Sequence, residues 1–325
     1  MPDLDSPRKP PRRFWLYAPY AALAIGVVGW SIAWQAISWR LASQMDQTAQ
    51  RLRAAGWTVD WRDRAINGYP FRLDLTLIGA RLAEPSGWGL AADKLKGETY
   101  AYAPDHWVLV APAGVTLTRP GKGAVAMTGS ALRASLGFSG PLQAPRIAVE
   151  GVRMTYVPAP RAAPLPIAAS DRLGLYVRPL AGDQAEAQLR LDGARPQTGA
   201  LLERLFPGRP VNLVWDVTLS KASLLNGRDW PAAARAWSAA GGTAGVVHGE
   251  VSGGGSALSA NGGALTLDAQ GRLAGSVPLD LTRLSGASLP NPGGKVTLTL
   301  KDGQMTIGPA KIGGPVRIGA AARAY

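Results

Sequence analysis

The stretch "NGYPFRLDLTL", Asn67–Leu77, decides the fold. Phe71, Leu73, Leu75 and Leu77 alternate with Arg72, Asp74 and Thr76. Successive strand side chains point to opposite faces, so this is the signature of a half-buried strand. Just upstream, "WTVDWR" (Trp57–Arg62) alternates in the same way, and "INGYP" between them supplies turn formers. The two runs therefore predict the first hairpin of a sheet. Parity places Tyr69 and Phe71 on the apolar face with Leu73, and Arg72 on the other.

Working outward, the same grammar runs to the C-terminus, in segments such as "RIAVEGVRMTYVP", "RLGLYVRPL", "VNLVWDVTLS" and "GALTLDAQGRLAGSVPLDL". Near the end Val296, Leu298 and Leu300 alternate with Thr297 and Thr299, Asp302-Gly303 forms a turn, and Met305 and Ile307 return. With 40 glycines and 26 prolines punctuating the chain, many short strands are favoured over long helices. The expected fold is mainly β: an N-terminal transmembrane helix and stalk helix, then an extended, curved antiparallel sheet or sandwich. Two short surface helices break the pattern, at Thr198–Phe206 and Pro231–Ala240, the second opening on proline and stopping at Gly241. The proline-rich "VPAPRAAPLP" marks a boundary, giving an N-terminal β half at 57–157, a linker at 158–166 and a C-terminal β half at 167–325.

Before the sheet, Phe14–Trp39 carries no charge, long enough to cross a hydrocarbon core of about 30 Å. Trp15, Tyr17 and Tyr20 at one end and Trp34 and Trp39 at the other suit the two membrane interfaces. Arg8, Lys9, Arg12 and Arg13 precede it, so residues 1–13 are expected in the cytoplasm and everything after Arg40 outside the membrane. The apolar run exceeds the core of a cleaved signal peptide, which favours an uncleaved anchor. Ala18, Ala22, Gly26, Gly29, Ala33 and Ala36 recur at steps of three and four, a small-residue stripe that would admit a partner helix. Residues 40–56 read as a stalk helix with Leu41, Met45, Thr48 and Leu52 on one face and Gly56 as its stop.

Composition narrows the chemistry. There is no cysteine, which removes disulfides, thiolate metal sites and cysteine nucleophiles. His106 and His248 stand far apart with no partner at ligand spacing, so no metal and no cofactor is expected. Of the net charge of +13, four basic against two acidic residues in 1–13 leave +11 on the remainder, which favours anionic partners such as lipid head groups or lipopolysaccharide. No nucleic-acid motif accompanies this charge, and nucleic acid is not expected as a partner. No "GxSxG" elbow is present. Asp60, Asp63 and Asp74 could approach one another across the first hairpin, but alternation puts Asp60 and Asp74 on polar faces beside Arg62 and Arg72, as salt-bridge partners. An enzyme is not expected.

At Gly68, Tyr69, Pro70, Phe71 and Arg72 the chain resembles an uncharacterised alphaproteobacterial family of membrane-anchored envelope proteins with a Gly-Tyr-Pro-Phe-Arg motif. Through "GALTLDAQGRLAGSVPLDLTRL" and "VTLTLKDGQMTIGPAKIGG" it also resembles AsmA-like envelope proteins. That resemblance implies an elongated, curved antiparallel sheet with an apolar inner face, associated with lipid handling at the inner membrane. The functional expectation is a single-pass protein of the bacterial inner membrane whose periplasmic sheet binds lipid or an envelope partner in envelope biogenesis or maintenance. An apolar groove would be lined by Leu73, Leu75, Leu77, Val296, Leu298 and Leu300. The alternatives are a structural membrane scaffold without lipid binding and an envelope-acting hydrolase.

Overall fold

The structure is a computed structural model, and it describes residues 14–138, 145–225, 230–268, 271–282, 293–302 and 304–313. The basic N-terminal flank, Gly303 of the C-terminal turn and the last twelve residues of the expected C-terminal half lie outside the described residues. Among the described residues the chain opens with one helix, α1 (Phe14–Ala54), and continues mainly as strand, which makes up 56% of them. The strands are β1 (Thr58–Asp60), β2 (Asp63–Asn67), β3 (Arg72–Ala83), β4 (Gly89–Tyr100), β5 (Ala103–Val110), β6 (Val115–Arg119), β7 (Gly123–Thr128), β8 (Ala131–Gly137), β9 (Arg146–Pro158), β10 (Ile167–Leu180) and β11 (Gln184–Pro196). After α2 (Leu201–Leu205) comes β12 (Val211–Ser220), then α3 (Trp230–Ala239). The chain closes on β13 (Ala244–Gly253), β14 (Ser256–Ala260), β15 (Ala264–Leu267), β16 (Leu273–Thr282), β17 (Gly293–Lys301), β18 (Gln304–Ile307) and β19 (Ala310–Gly313).

All of these strands join one antiparallel 19-stranded sheet. Among the described residues no ladder joins β19 back to β1 or β2, so the sheet is open. So wide an open sheet accumulates twist and curls. The curl is visible in one contact: the Glu84 carboxylate, in the β3–β4 turn, accepts a hydrogen bond from the backbone N–H of Trp230 at the start of α3. Residues 146 apart in sequence thus meet.

The proline-rich segment does not divide the sheet. β9 and β10 pair directly, from Thr155↔Ala169 to Ile147↔Val177. The intervening residues are strapped to the β6–β7 turn: Ala163 N–H donates to the Lys122 carbonyl at 2.8 Å, and the buried Arg119 guanidinium donates to the carbonyls of Ala163 and Pro164. Burial lowers the pKa of Arg119 from its ordinary value.

The first hairpin also differs from its sequence reading. "DRAIN" is a strand, β2, and it is β2 that pairs with β3, from Asn67↔Asp74 to Asp63↔Ile78. β1 pairs instead with the far end of β3, Thr58↔Ala83. The turn is thereby confined to Gly68–Phe71. Gly68 has φ +101°, and a Cβ there would sit 2.8 Å from the Arg72 carbonyl oxygen, so the turn requires glycine. Tyr69–Pro70 is a cis peptide.

The main core gathers Val125, Leu132, Met154, Tyr156, Leu191, Val211, Val251 and Leu281, with α2 and Phe206 packed into it. A second cluster joins Trp215 and Val246 to Val277, Leu279, Leu300 and Ile307, and α3 packs separately on Leu267 through Trp237. Phe206 is among the most buried side chains, so Phe206→Ala should cost about 3–5 kcal/mol. Chemical denaturation in detergent micelles measures this loss, and Leu175→Ala, at a partly exposed position, should cost well under half as much.

Candidate functional site

Antiparallel pairing aligns directly opposed residues on one face. Following the register from one edge of the sheet towards the other, Ile66 opposes Leu75, then Gly97, Leu109, Ala134, Val149 and Leu175. The same row continues through Leu189, Trp215, Gly249, Ala260, Leu279 and Val296. Every position in it is apolar or glycine. The next row, on the opposite face, reads Asp74, Glu98, Val108, Ser135, Ala148, Tyr176, Gln188, Asp216 and His248. The apolar row is thus one side of the sheet, and it runs between the two core clusters: Val149 packs on the first and Trp215 on the second.

Midway along it the cover thins. Leu173 and Leu191, one row nearer α2, belong to the main core, but Leu175 is 38% exposed and Leu189 only half-buried. The arrangement is an apolar strip, hereafter the trough, bordered by the α2 cluster at one end and least covered at β10–β11. Of the residues singled out by sequence, Leu75 and Val296 lie on the trough's row, although their strands are far apart in the chain. Leu73, Leu75 and Leu77 are buried, and Leu73 packs against α1. Leu300 is buried in the second cluster, with Leu298 packed on it. Of the residues picked from sequence, Leu73 thus falls in the α1 contact, Leu298 and Leu300 in the second cluster, Leu75 and Val296 on the row, and Leu77 beside it on β3, while the thinly covered centre, Leu175 and Leu189, lies in "RLGLYVRPL" and "AEAQLRLDGARP", which alternation marked only as strands.

The Gly68–Arg72 turn has another task. α1 is continuous through residues 40–54 and lies against β2 and β3, so residues 40–56 are not a free stalk. Trp34, 8% exposed, packs on Leu73, Ala101 and Ile66 and donates its indole N–H to the Arg72 carbonyl at 2.9 Å. Trp30 donates to the Pro70 carbonyl at 2.8 Å, and the Ser31 and Tyr69 hydroxyls share a 2.8 Å hydrogen bond. The Tyr69 ring meets Trp34 edge-on at 5.6 Å. About three turns further along α1, Arg64 grips Asp46 through two bonds of 2.7 and 3.0 Å. Tyr69 and Phe71 do not share the buried face of Leu73: they are 50% and 60% exposed. The two-residue alternation applies to the extended ladder, which starts at Arg72, and these rings stand in the turn before it. The small-residue stripe lies elsewhere on the helix, with Ala22, Gly26, Gly29, Ala33 and Ala36 exposed.

The polar face carries ion pairs. Asp74 pairs with Arg72 at 3.0 Å, as expected, but Asp60 pairs with Arg53 of α1 at 3.4 Å rather than with Arg62. Asp74, the partner of Asp63 and the partner of Asp60 fall at positions 74, 78 and 81 of β3, roughly 13 and 10 Å apart along the strand. The three carboxylates do not converge. On the central strands Glu150 accepts from Arg133 and from the Tyr176 hydroxyl. The Arg133 bond, with that from Tyr176, holds the Glu150 carboxyl below its usual range, while burial and then Glu150 itself push Tyr176 up. A deprotonated acceptor beside a protonated phenol is a structural pair.

A family described as "Uncharacterized protein conserved in bacteria (DUF2125)" matches residues 34–288. The chain belongs to that family. The DUF2125 match opens on Trp34, the residue that docks α1, and includes the trough from Ile66 to Leu279. No curated protein and no solved structure matches the chain.

Trp34→Ala should destabilise the protein by about 3–5 kcal/mol, whereas Phe71→Ala should cost under about 1 kcal/mol, read from denaturation midpoints. Hydrogen bonding from Arg64 lowers the Asp46 pKa. A depressed carboxylate stabilises above its ordinary value near 3.8 and loses that contribution as pH falls through the lowered one. Arg64→Gln should return Asp46 to the ordinary range in an NMR titration and remove this acid-side dependence.

Proposed function

We propose that this is a membrane-anchored envelope protein whose sheet accepts an acyl chain, or an apolar segment of an envelope partner, in the trough centred on Leu175 and Leu189. α1 is long and apolar enough to cross a membrane once. The N-terminus then lies in the cytoplasm and the sheet in the periplasm, because the basic residues precede the span. The observation that carries the reading is the unbroken apolar row with its exposed centre, since monomers rarely leave contiguous apolar surface unused. Each methylene buried there is worth about 0.8 kcal/mol, so covering part of one chain suffices for useful binding. The AsmA-like resemblance points the same way, to lipid handling from a curved sheet at the inner membrane. Recognition in such a site is by burial and shape, with no catalytic step.

The scaffold reading has one observation of its own, the stripe of small residues left exposed on α1, with nothing within 4 Å of a Cβ at Gly26 or Gly29. It is compatible with trough binding, and a mutation in each place separates the two.

A photo-crosslinking residue at Leu175 in living cells should give adducts with lipid or with one defined envelope protein, and Leu175→Asp with a crosslinker at Leu189 should abolish them without unfolding the protein. Labelling confined to the chain's own sheet would refute the trough. For topology, alkaline phosphatase fused after Tyr325 should be active and a cytoplasm-only fluorescent protein dark; the reverse pair would put the sheet in the cytoplasm.

A further inference from the structure

The sheet takes hold of α1 too early for the bare helix to cross a bilayer unaided. Trp30 already bonds to the β2–β3 turn, and of the described helix only Phe14–Gly29 precedes that bond. That length is about 24 Å at 1.5 Å per residue, against a hydrocarbon core of about 30 Å. The shortfall of about 6 Å falls at the level where the β2–β3 turn lies beside the helix. At that level the sheet displays aromatic rings it does not bury. Tyr69 and Phe71 project from the β2–β3 turn. Tyr100 and Tyr102, 53% and 66% exposed, project from the β4–β5 turn with their rings stacked at 5.2 Å. The register Arg72↔Tyr100 and the bond from Ala101 N–H to the Phe71 carbonyl set the two turns side by side. Phe138, also exposed and tied to Asp105 through its backbone N–H, adds a ring at the same end of the sheet. Directly above the rings, Arg72 bridges Asp74 and Glu98 in an exposed ionic group.

Apolar rings below and paired charges above are the profile of a membrane interface, where tyrosine and tryptophan concentrate and charges meet the head groups. We propose that this end of the sheet is a seating collar: Tyr69, Phe71, Tyr100, Tyr102 and Phe138 enter the interface of the bilayer that α1 crosses and fix the sheet against its surface. The occupant is that bilayer, because the turn is bonded to the helix at the depth where the span falls short. The inference rests on α1 spanning the membrane and is independent of the trough.

The absence of cysteine permits single-cysteine spin labelling of the full chain in vesicles of phosphatidylethanolamine and phosphatidylglycerol. Labels at Phe71→Cys and Tyr102→Cys are compared with Ile25→Cys in the span and with Lys122→Cys, exposed in the β6–β7 turn at the opposite end of the sheet. The ratio of oxygen to nickel-chelate collision rates reports depth. It should be highest at Ile25, lowest at Lys122, and at Phe71 and Tyr102 several-fold above Lys122. Ratios at Phe71 and Tyr102 equal to Lys122, with Ile25 still in lipid, would overturn the collar and leave the span intact. An aqueous ratio at Ile25 would overturn the span and the collar together. Low collision rates with both reagents at Phe71 and Tyr102 would mean that protein covers the rings, which also overturns the bilayer as occupant.

Discussion

An open antiparallel sheet of nineteen strands has no flat solution. Each strand twists right-handedly relative to its neighbour, the rotations add, and the sheet must curl or split. Here it curls far enough for Glu84, near its first edge, to meet the backbone of Trp230 on α3. Curling gives the sheet an inside, and the two-residue period of the sequence then has a physical consequence: one parity faces core and the other faces water. The Arg–Glu and Arg–Asp pairs along the outer rows are exposed and add little stability individually. The inner rows, plugged at one end by α2 and Phe206, hold the molecule together.

The second determinant is the attachment of α1. A flexible tether would let the sheet drift relative to the helix. Instead, two indole N–H groups bond to the backbone carbonyls of Pro70 in the β2–β3 turn and Arg72 at the start of β3, and Arg64 clamps Asp46 further along the helix. Each such bond contributes on the order of 1 kcal/mol net, and the burial of Trp34 over Leu73 adds the larger apolar term. Helix and sheet are therefore tied together, and under the proposed membrane-spanning role of α1 the orientation of the helix would be transmitted to the sheet.

These two features frame the proposed function. The trough offers apolar surface and few directional polar groups, while on the other face Arg133, Glu150 and Tyr176 form a paired, structural group. A site of that kind selects by length and cross-section. The carboxylates that sequence alone would allow to cooperate are spread along β3, because pairing with different strands assigns Asp60 and Asp63 to separate rungs.

Strand alternation, turn residues and the charge-free segment made the fold class and the N-terminal helix legible from sequence, because each depends on residues close together in the chain. The burial of Leu73, Leu75 and Leu77 was legible for the same reason. Tertiary structure alone decided the rest. The short "DRAIN" strand, partnered by β3, carries too little apolar alternation to announce itself, and Tyr69 and Phe71 escape parity because the turn interrupts the ladder. The trough's centre at Leu175 and Leu189 is chemically indistinguishable from any other alternating leucine. What distinguishes it is that the rows on one side are covered by α2 and its cluster, a consequence of register summed across many strands and of curvature, neither of which is encoded in any local segment.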